Sequence, residues 1–149
     1  MLAVNSFIRL PNGSFVHVDS YGERPADPDY VEGAIEIVAD GVEIVGQREW
    51  DYVDQLWSYL ADALERLRAD GTASTYYPDQ PIRIDFSVQG SRVLISSTAG
   101  DHVRRASVNR TEFDEVFSAA GRRFFDRISE IVPVNSDGYA AARSKLVNG

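Results

Sequence analysis

The first third of the chain alternates between apolar and polar positions in short runs. The segments VNSFIRL and SFVHVDS flank the turn-forming triplet Pro-Asn-Gly at 11–13, and a second pair of apolar runs flanks Asp40 and Gly41. Asn-Gly and Asp-Gly pairs accept the positive φ angles of tight hairpin turns. We therefore predict two β-hairpins within residues 1–46.

The segment EWDYVDQLWSYLADALERLRADG has the period of an amphipathic helix. At ~100° per residue, its apolar side chains gather on one half of the helix: Trp50, Val53, Leu56, Trp57, Leu60, Ala63, Leu64 and Leu67. The opposite half carries Asp51, Asp54, Ser58, Asp62 and Glu65. Gly71 stands where a left-handed C-cap is expected. We predict a helix over residues 47–71 with its aromatic residues in the core and its carboxylates in solvent.

The second half of the chain again changes from strands to helix. Residues 72–80 have the composition of a loop, and residues 81–109 contain three alternating runs joined by short turns, which predicts an antiparallel meander. Apolar residues at helical spacing predict a helix over 110–132, with Thr111 as its N-cap and Pro133 ending it. Residues 138–147 predict a weak C-terminal helix.

These elements predict one α+β domain over residues 1–149, a length typical of a single domain. The domain combines an antiparallel sheet of hairpins and a three-stranded meander with two main amphipathic helices packed on one face. A short C-terminal helix completes it. This arrangement buries the apolar positions of both helices and of the strands.

The charge of the chain narrows the classes of partner. The formal net charge is −8 and the pI about 4.7, which opposes binding to nucleic acid or anionic lipid and favours a basic protein partner. No run is long enough to span a membrane, and the N-terminus lacks the basic region of a signal peptide. The absence of cysteine excludes disulfides. We expect a cytoplasmic protein that binds neither membranes nor nucleic acids.

Residues suited to catalysis are scarce. The two histidines, His17 and His102, fall on different predicted strands, and no nucleophile elbow, phosphate loop or dinucleotide motif is present. A general acid needs burial to raise its pKa, which the solvated side of the predicted helix does not offer. We therefore predict no catalytic residue, no metal site and no cofactor.

Adjacent aromatic residues in the predicted loop suggest a binding surface. Tyr76 and Tyr77 cannot easily both point inward, so either one is an exposed interface anchor or both rings cover the end of the first helix. Together with the helix carboxylates they form the predicted partner-binding set: Asp51, Asp54, Asp62, Glu65, Tyr76 and Tyr77. The chain is thus interpreted as a non-catalytic protein-binding module.

A family resemblance agrees with this interpretation. The helix EWDYVDQLWSYLADAL, the loop YYPDQPIRIDF and the helix RTEFDEVFSAAGRRFF resemble small acidic bacterial immunity proteins of polymorphic toxin systems, over residues 34–132. The resemblance implies a stoichiometric, basic protein partner that is inhibited without catalysis or cofactor. It assigns no individual residue, because such proteins share no fixed binding motif.

Two other interpretations stay open at this stage. In the first, the meander and helices enclose a small-ligand or hydrolase pocket lined by Tyr76, Tyr77, His102 and nearby arginines. In the second, the chain is a homo-oligomeric structural module that associates through strand edges or through Phe125, which lies off the apolar stripe of its helix.

Overall fold

The structure, a computed structural model, describes residues 1–25 and 27–146. The strands are β1 (Leu2–Arg9), β2 (Phe15–His17), β3 (Glu32–Ala39), β4 (Val42–Val45), β5 (Asp51–Tyr52), β6 (Thr72–Tyr76), β7 (Ile82–Gln89), β8 (Arg92–Ala99) and β9 (His102–Asn109). The helices are α1 (Val53–Asp70), α2 (Arg110–Ile131) and α3 (Ser136–Ser144). The predicted α+β class is confirmed.

The N-terminal strands form one antiparallel sheet in the order β2-β1-β3-β4, with β5 pairing on β3. Both predicted hairpins are confirmed, since β1 pairs with β2 and β3 with β4. The second turn uses the expected positive φ angles, 51° at Asp40 and 80° at Gly41. The hairpins are joined through the β1–β3 pairing, which places their apolar positions on a shared core face.

The remaining strands form a second antiparallel sheet in the order β6-β7-β8-β9. The predicted meander corresponds to β7, β8 and β9. The prediction of a loop over 72–80 is wrong for its first half, because residues 72–76 form β6. Ala73 of β6 is buried opposite Phe86 of β7. The segment TASTY lacks large alternating apolar side chains, so its pairing depends on β7 rather than on its own pattern.

Helix α1 begins at Val53, six residues later than the predicted start at 47. A 3-10 turn at Gln47–Glu49 and strand β5 occupy the intervening segment. Trp50 therefore lies outside the helix, half-buried, with the Arg9 guanidinium 4.2 Å from its ring centre. The C-terminus is as predicted: Gly71 has a φ of 82° and donates its N–H to the Leu67 carbonyl.

The core centres on Trp57 of α1, which is fully buried. Its ring lies 6.0–6.5 Å from those of Phe117, Phe124 and Phe125 of α2, and its indole N–H donates to Ser6 Oγ at 2.9 Å. Phe125 also packs against α3, so it is a core residue and not an exposed subunit contact. Both long helices contact both sheets, which joins the sheets into one body.

The ends of α2 and α3 differ in detail from the prediction. Asn109, not Thr111, is the N-cap of α2, because its Oδ1 accepts from the backbone N–H groups of Thr111 and Glu112 at 2.9 and 3.1 Å. Helix α2 ends at Ile131, just before Pro133. Helix α3 starts at Ser136, two residues earlier than predicted, and residue 147 of the predicted helix lies outside the described residues.

Candidate functional site

The prediction that the carboxylates of the first helix face solvent is only partly correct. Asp51 and Asp54 are 3% and 7% exposed, so the prediction that they face solvent is wrong. Asp51 is not in the helix at all, and Asp54 is covered by α3. Asp62 and Glu65, farther along α1, do reach the surface.

Asp51 holds the turn between β6 and β7 in place. Its Oδ2 accepts from the backbone N–H groups of Asp79 at 3.0 Å and Gln80 at 2.8 Å, and its Oδ1 accepts from Tyr52 N at 2.7 Å. Burial of the carboxylate is tolerated because these donors replace water. Its role in the structure is to connect the two sheets.

Asp62 and Glu65 share a neighbour on the C-terminal segment. Lys145 forms an ion pair with Asp62. The hydrogen bond to Asp62, with further attraction from Asp62 and Glu65, raises the pKa of the Lys145 amine. The charge of this face is therefore partly neutralised within the protein itself.

The adjacent tyrosines point in opposite directions. Tyr76 is 63% exposed, whereas Tyr77 is buried, and among the described residues its hydroxyl finds no hydrogen-bond partner. Burial, with added repulsion from Glu49 and Asp51, raises the pKa of Tyr77. Of the two arrangements that the sequence left open, the structure has the one with a single exposed tyrosine, Tyr76.

Asp54 lies in a buried polar network between α1 and α3. Tyr139 donates its hydroxyl to Asp54 Oδ2 at 2.8 Å, and Gln55 N–H donates to Oδ1 at 2.9 Å. Burial raises the pKa of Asp54 above its usual value, although these hydrogen bonds oppose the shift. The network lines an open cleft of about 430 Å³ that also includes Asp29 and Asn135. The expectation that no α1 carboxylate has a raised pKa is therefore wrong.

Asp54 should make stability depend on pH. Because its pKa is raised on folding from 3.8, the folded state holds the proton more tightly, so the free energy of unfolding falls as pH rises above 3.8 through the folded pKa. Asp54→Asn should flatten this dependence. Tyr139→Phe removes a hydrogen bond to the charged carboxylate, so it should steepen the dependence and cost about 1.5–3 kcal/mol at neutral pH.

Urea unfolding of the wild type and both variants between mildly acidic and neutral pH measures these changes. The free energy of unfolding of the wild type could instead rise with pH over a range where that of Asp54→Asn stays constant. That result would contradict a raised pKa for Asp54.

A surface that the sequence did not indicate lies where β3 meets β5. The rings of Tyr30 and Tyr52 are 5.3 Å apart, and Glu32 stands opposite Tyr52 in the strand register. Tyr30 is 57% exposed and Asp79 is also exposed. With the half-buried Trp50 they form a surface that we name the tyrosine–carboxylate patch: Tyr30, Glu32, Trp50, Tyr52 and Asp79.

The side chains in and beside the patch carry mainly negative charge. Partial burial raises the pKa of Tyr52, and the nearby charges of Asp79, Glu32 and Asp51 raise it further. Arg9 balances them in part, because it pairs with Glu32 at 3.1 Å while its guanidinium lies over the Trp50 ring. The patch combines residues from three chain segments, 30–32, 50–52 and 79, so no local sequence pattern indicates it.

A cleft of about 270 Å³ lies at the junction of the two sheets. We name it the inter-sheet cleft and define it by Arg48, Glu49, Ile82, Ala99, His102 and Arg104. It contains the histidine and arginines expected of a ligand pocket, but neither Tyr76 nor Tyr77 lines it.

Among residues 1–25 and 27–146, no group of three or more His, Cys, Asp or Glu side chains is placed to hold a metal ion. No helix in the described part of the chain is long and apolar enough to cross a bilayer. No protein-family model, curated protein or solved structure matches this chain.

Proposed function

We propose that this chain is a non-catalytic protein-binding module that masks a basic partner protein, as an immunity-type inhibitor does. The observation that supports this best is the tyrosine–carboxylate patch, where the exposed Tyr30 ring lies 5.3 Å from the ring of Tyr52, tilted against it, among carboxylates. Tyrosine and tryptophan are enriched at interfaces, since they bury a large area at a small entropic cost.

The charge of the patch favours a basic partner. Three carboxylates, those of Asp79, Glu32 and Asp51, contribute to the raised pKa of Tyr52. The Arg9 guanidinium partly neutralises Glu32, with which it forms an ion pair. The formal net charge of −8 adds a long-range attraction that would speed encounter with a cationic protein. Salt screens such attraction over about 8 Å at physiological ionic strength, so complex formation should weaken as salt is added.

The surface residues predicted from sequence remain part of the proposal. Tyr76 is an exposed aromatic side chain, and Asp62 and Glu65 supply additional acidic surface, although Lys145 partly neutralises them. Asp51, Asp54 and Tyr77 are buried, so any contribution of theirs to partner binding is indirect, through the shape of the surface above them.

The tagged protein should capture a stoichiometric basic protein from its native lysate at low salt and lose it at high salt. Tyr30→Ala should weaken this complex at least about tenfold, because a central interface tyrosine is typically a hot spot. Asp79→Lys should weaken it similarly and reduce its salt dependence. Mass spectrometry identifies the partner, and titration of the purified pair gives the affinities.

Two variants serve as matched controls. Asp101→Lys makes the same charge change at another exposed turn, and Tyr76→Ala removes the other exposed tyrosine. If Asp101→Lys weakens the complex as much as Asp79→Lys does, net charge alone explains binding. If only Tyr76→Ala weakens it, the interface lies at the surface predicted from sequence and the patch is not involved.

A further inference from the structure

The inter-sheet cleft carries charges that the proposed function does not use. Arg104 of β9 places its Nη1 3.4 Å from the Glu43 carbonyl oxygen and 3.6 Å from Glu49 Oε1. Glu49 is itself engaged, because Oε1 also accepts from Gly46 N at 3.0 Å. A guanidinium has five N–H donors, so these contacts leave several of those of Arg104 for another acceptor.

Arg48 adds a second cation at the same cleft. It is exposed, and none of the ion pairs between described residues includes it. Of the described residues that line the cleft, two carry a guanidinium group, Arg48 and Arg104, and one carries a carboxylate, Glu49, in a chain whose formal net charge is −8. An excess of positive charge in the cleft attracts a small anion, in contrast to the acidic surface elsewhere.

The walls and the volume of the cleft indicate what else a ligand would need besides an anionic group. Its sides include Ile82 and Ala99, from the facing ends of β7 and β8, so part of the wall beside the arginines is apolar. The volume of about 270 Å³ is below the roughly 300–1,000 Å³ of pockets for drug-sized ligands. The space suits a molecule with a short apolar body and one anionic group.

We propose that the inter-sheet cleft binds a small organic monocarboxylate, with the carboxylate on Arg48 and Arg104 and the apolar body against Ile82 and Ala99. Guanidinium groups match carboxylates because two parallel N–H donors meet two oxygens. The cleft is built from β4, β7, β8, β9 and the turn at Gln47–Glu49, so a ligand there would contact both sheets. This proposal does not depend on the proposed protein partner.

Isothermal titration of the full chain with benzoate, benzamide and inorganic phosphate tests the proposal. Benzoate should bind saturably, and benzamide, which has the same shape without the charge, should bind at least about tenfold more weakly. Phosphate lacks the apolar body, so it should bind at least about tenfold more weakly than benzoate. Absence of saturable benzoate binding, equal binding of benzamide, or equal binding of phosphate would each overturn the assignment of an organic carboxylate.

Substitutions locate the binding in the cleft. Arg48→Gln should weaken benzoate binding at least about tenfold, and it should leave folding intact because the side chain is exposed and unpaired among the described residues. Arg105→Gln makes the same charge change on the neighbouring position of β9, whose side chain faces the other side of the sheet. It should change the affinity less than about twofold. Equal losses in both variants would show non-specific attraction and remove the cleft as the site.

Discussion

Replacing Trp57 by alanine is expected to lower the free energy of unfolding by about 3–5 kcal/mol, the range for truncating a fully buried large aromatic residue. The ring contacts three phenylalanines of α2, so its loss leaves a cavity between the two long helices. It also leaves the buried Ser6 hydroxyl without its indole donor. Urea unfolding followed by far-ultraviolet circular dichroism measures the change without relying on the fluorescence of the removed residue.

A milder variant keeps this prediction testable if the alanine variant does not fold. Trp57→Phe retains an aromatic ring, so it should cost less than the alanine variant, and part of its cost should come from the unpaired Ser6 hydroxyl. Adding Ser6→Ala to Trp57→Phe should then recover part of the loss. A loss below about 1 kcal/mol for Trp57→Ala would contradict the central position assigned to this ring.

Gly33→Ala is expected to destabilise the protein by about 3 kcal/mol or more, at or beyond the upper end of the usual cost of overpacking. A Cβ at Gly33 would overlap the carbonyl oxygen of Phe7 on the adjacent strand and lie 2.8 Å from Val53 Cγ1. The Phe7 oxygen is a backbone atom held in the β1–β3 ladder, so it cannot move aside as a flexible side chain can. Thermal and urea unfolding both measure the effect.

Gly22→Ala is the matched control for this substitution. No heavy atom lies within 4 Å of the Cβ it would add, and its φ is not in the left-handed region. Its effect should stay within about 0.5 kcal/mol. If the two variants were equally stable, the close approach of Val53 to β3 would not be a feature of the folded protein.

Local patterns explain why much of the fold could be predicted from the sequence. The period of α1 placed Leu56, Trp57 and Leu60 in the core, and all three are fully buried. Gly71 marked the end of that helix because its φ of 82° favours glycine. Such signals depend on residues close together in the chain, and secondary structure follows from them.

The structure differs from the sequence predictions where residues distant in sequence come into contact. A helical wheel places Asp54 opposite the apolar stripe, but it contains no information about Tyr139, which lies 85 residues farther along and covers that side. The start of α1 was predicted too early because WDYV can extend the helical pattern. Pairing of Asp51 with Gly33 turns these residues into a strand instead. The tyrosine–carboxylate patch depends on the same pairing, so no local pattern could indicate it.

The division into two sheets affects how the chain folds during synthesis. Each sheet comes from one continuous stretch, residues 2–52 and residues 72–109, so each can pair its strands soon after it leaves the ribosome. Helix α2, which covers β1 and packs on Trp57, is made after both sheets. The backbone N–H of Leu2 donates to the side chain of Glu112, which is synthesised 110 residues later. The nascent chain therefore carries uncovered apolar surface until α2 has been made, and such surface favours aggregation.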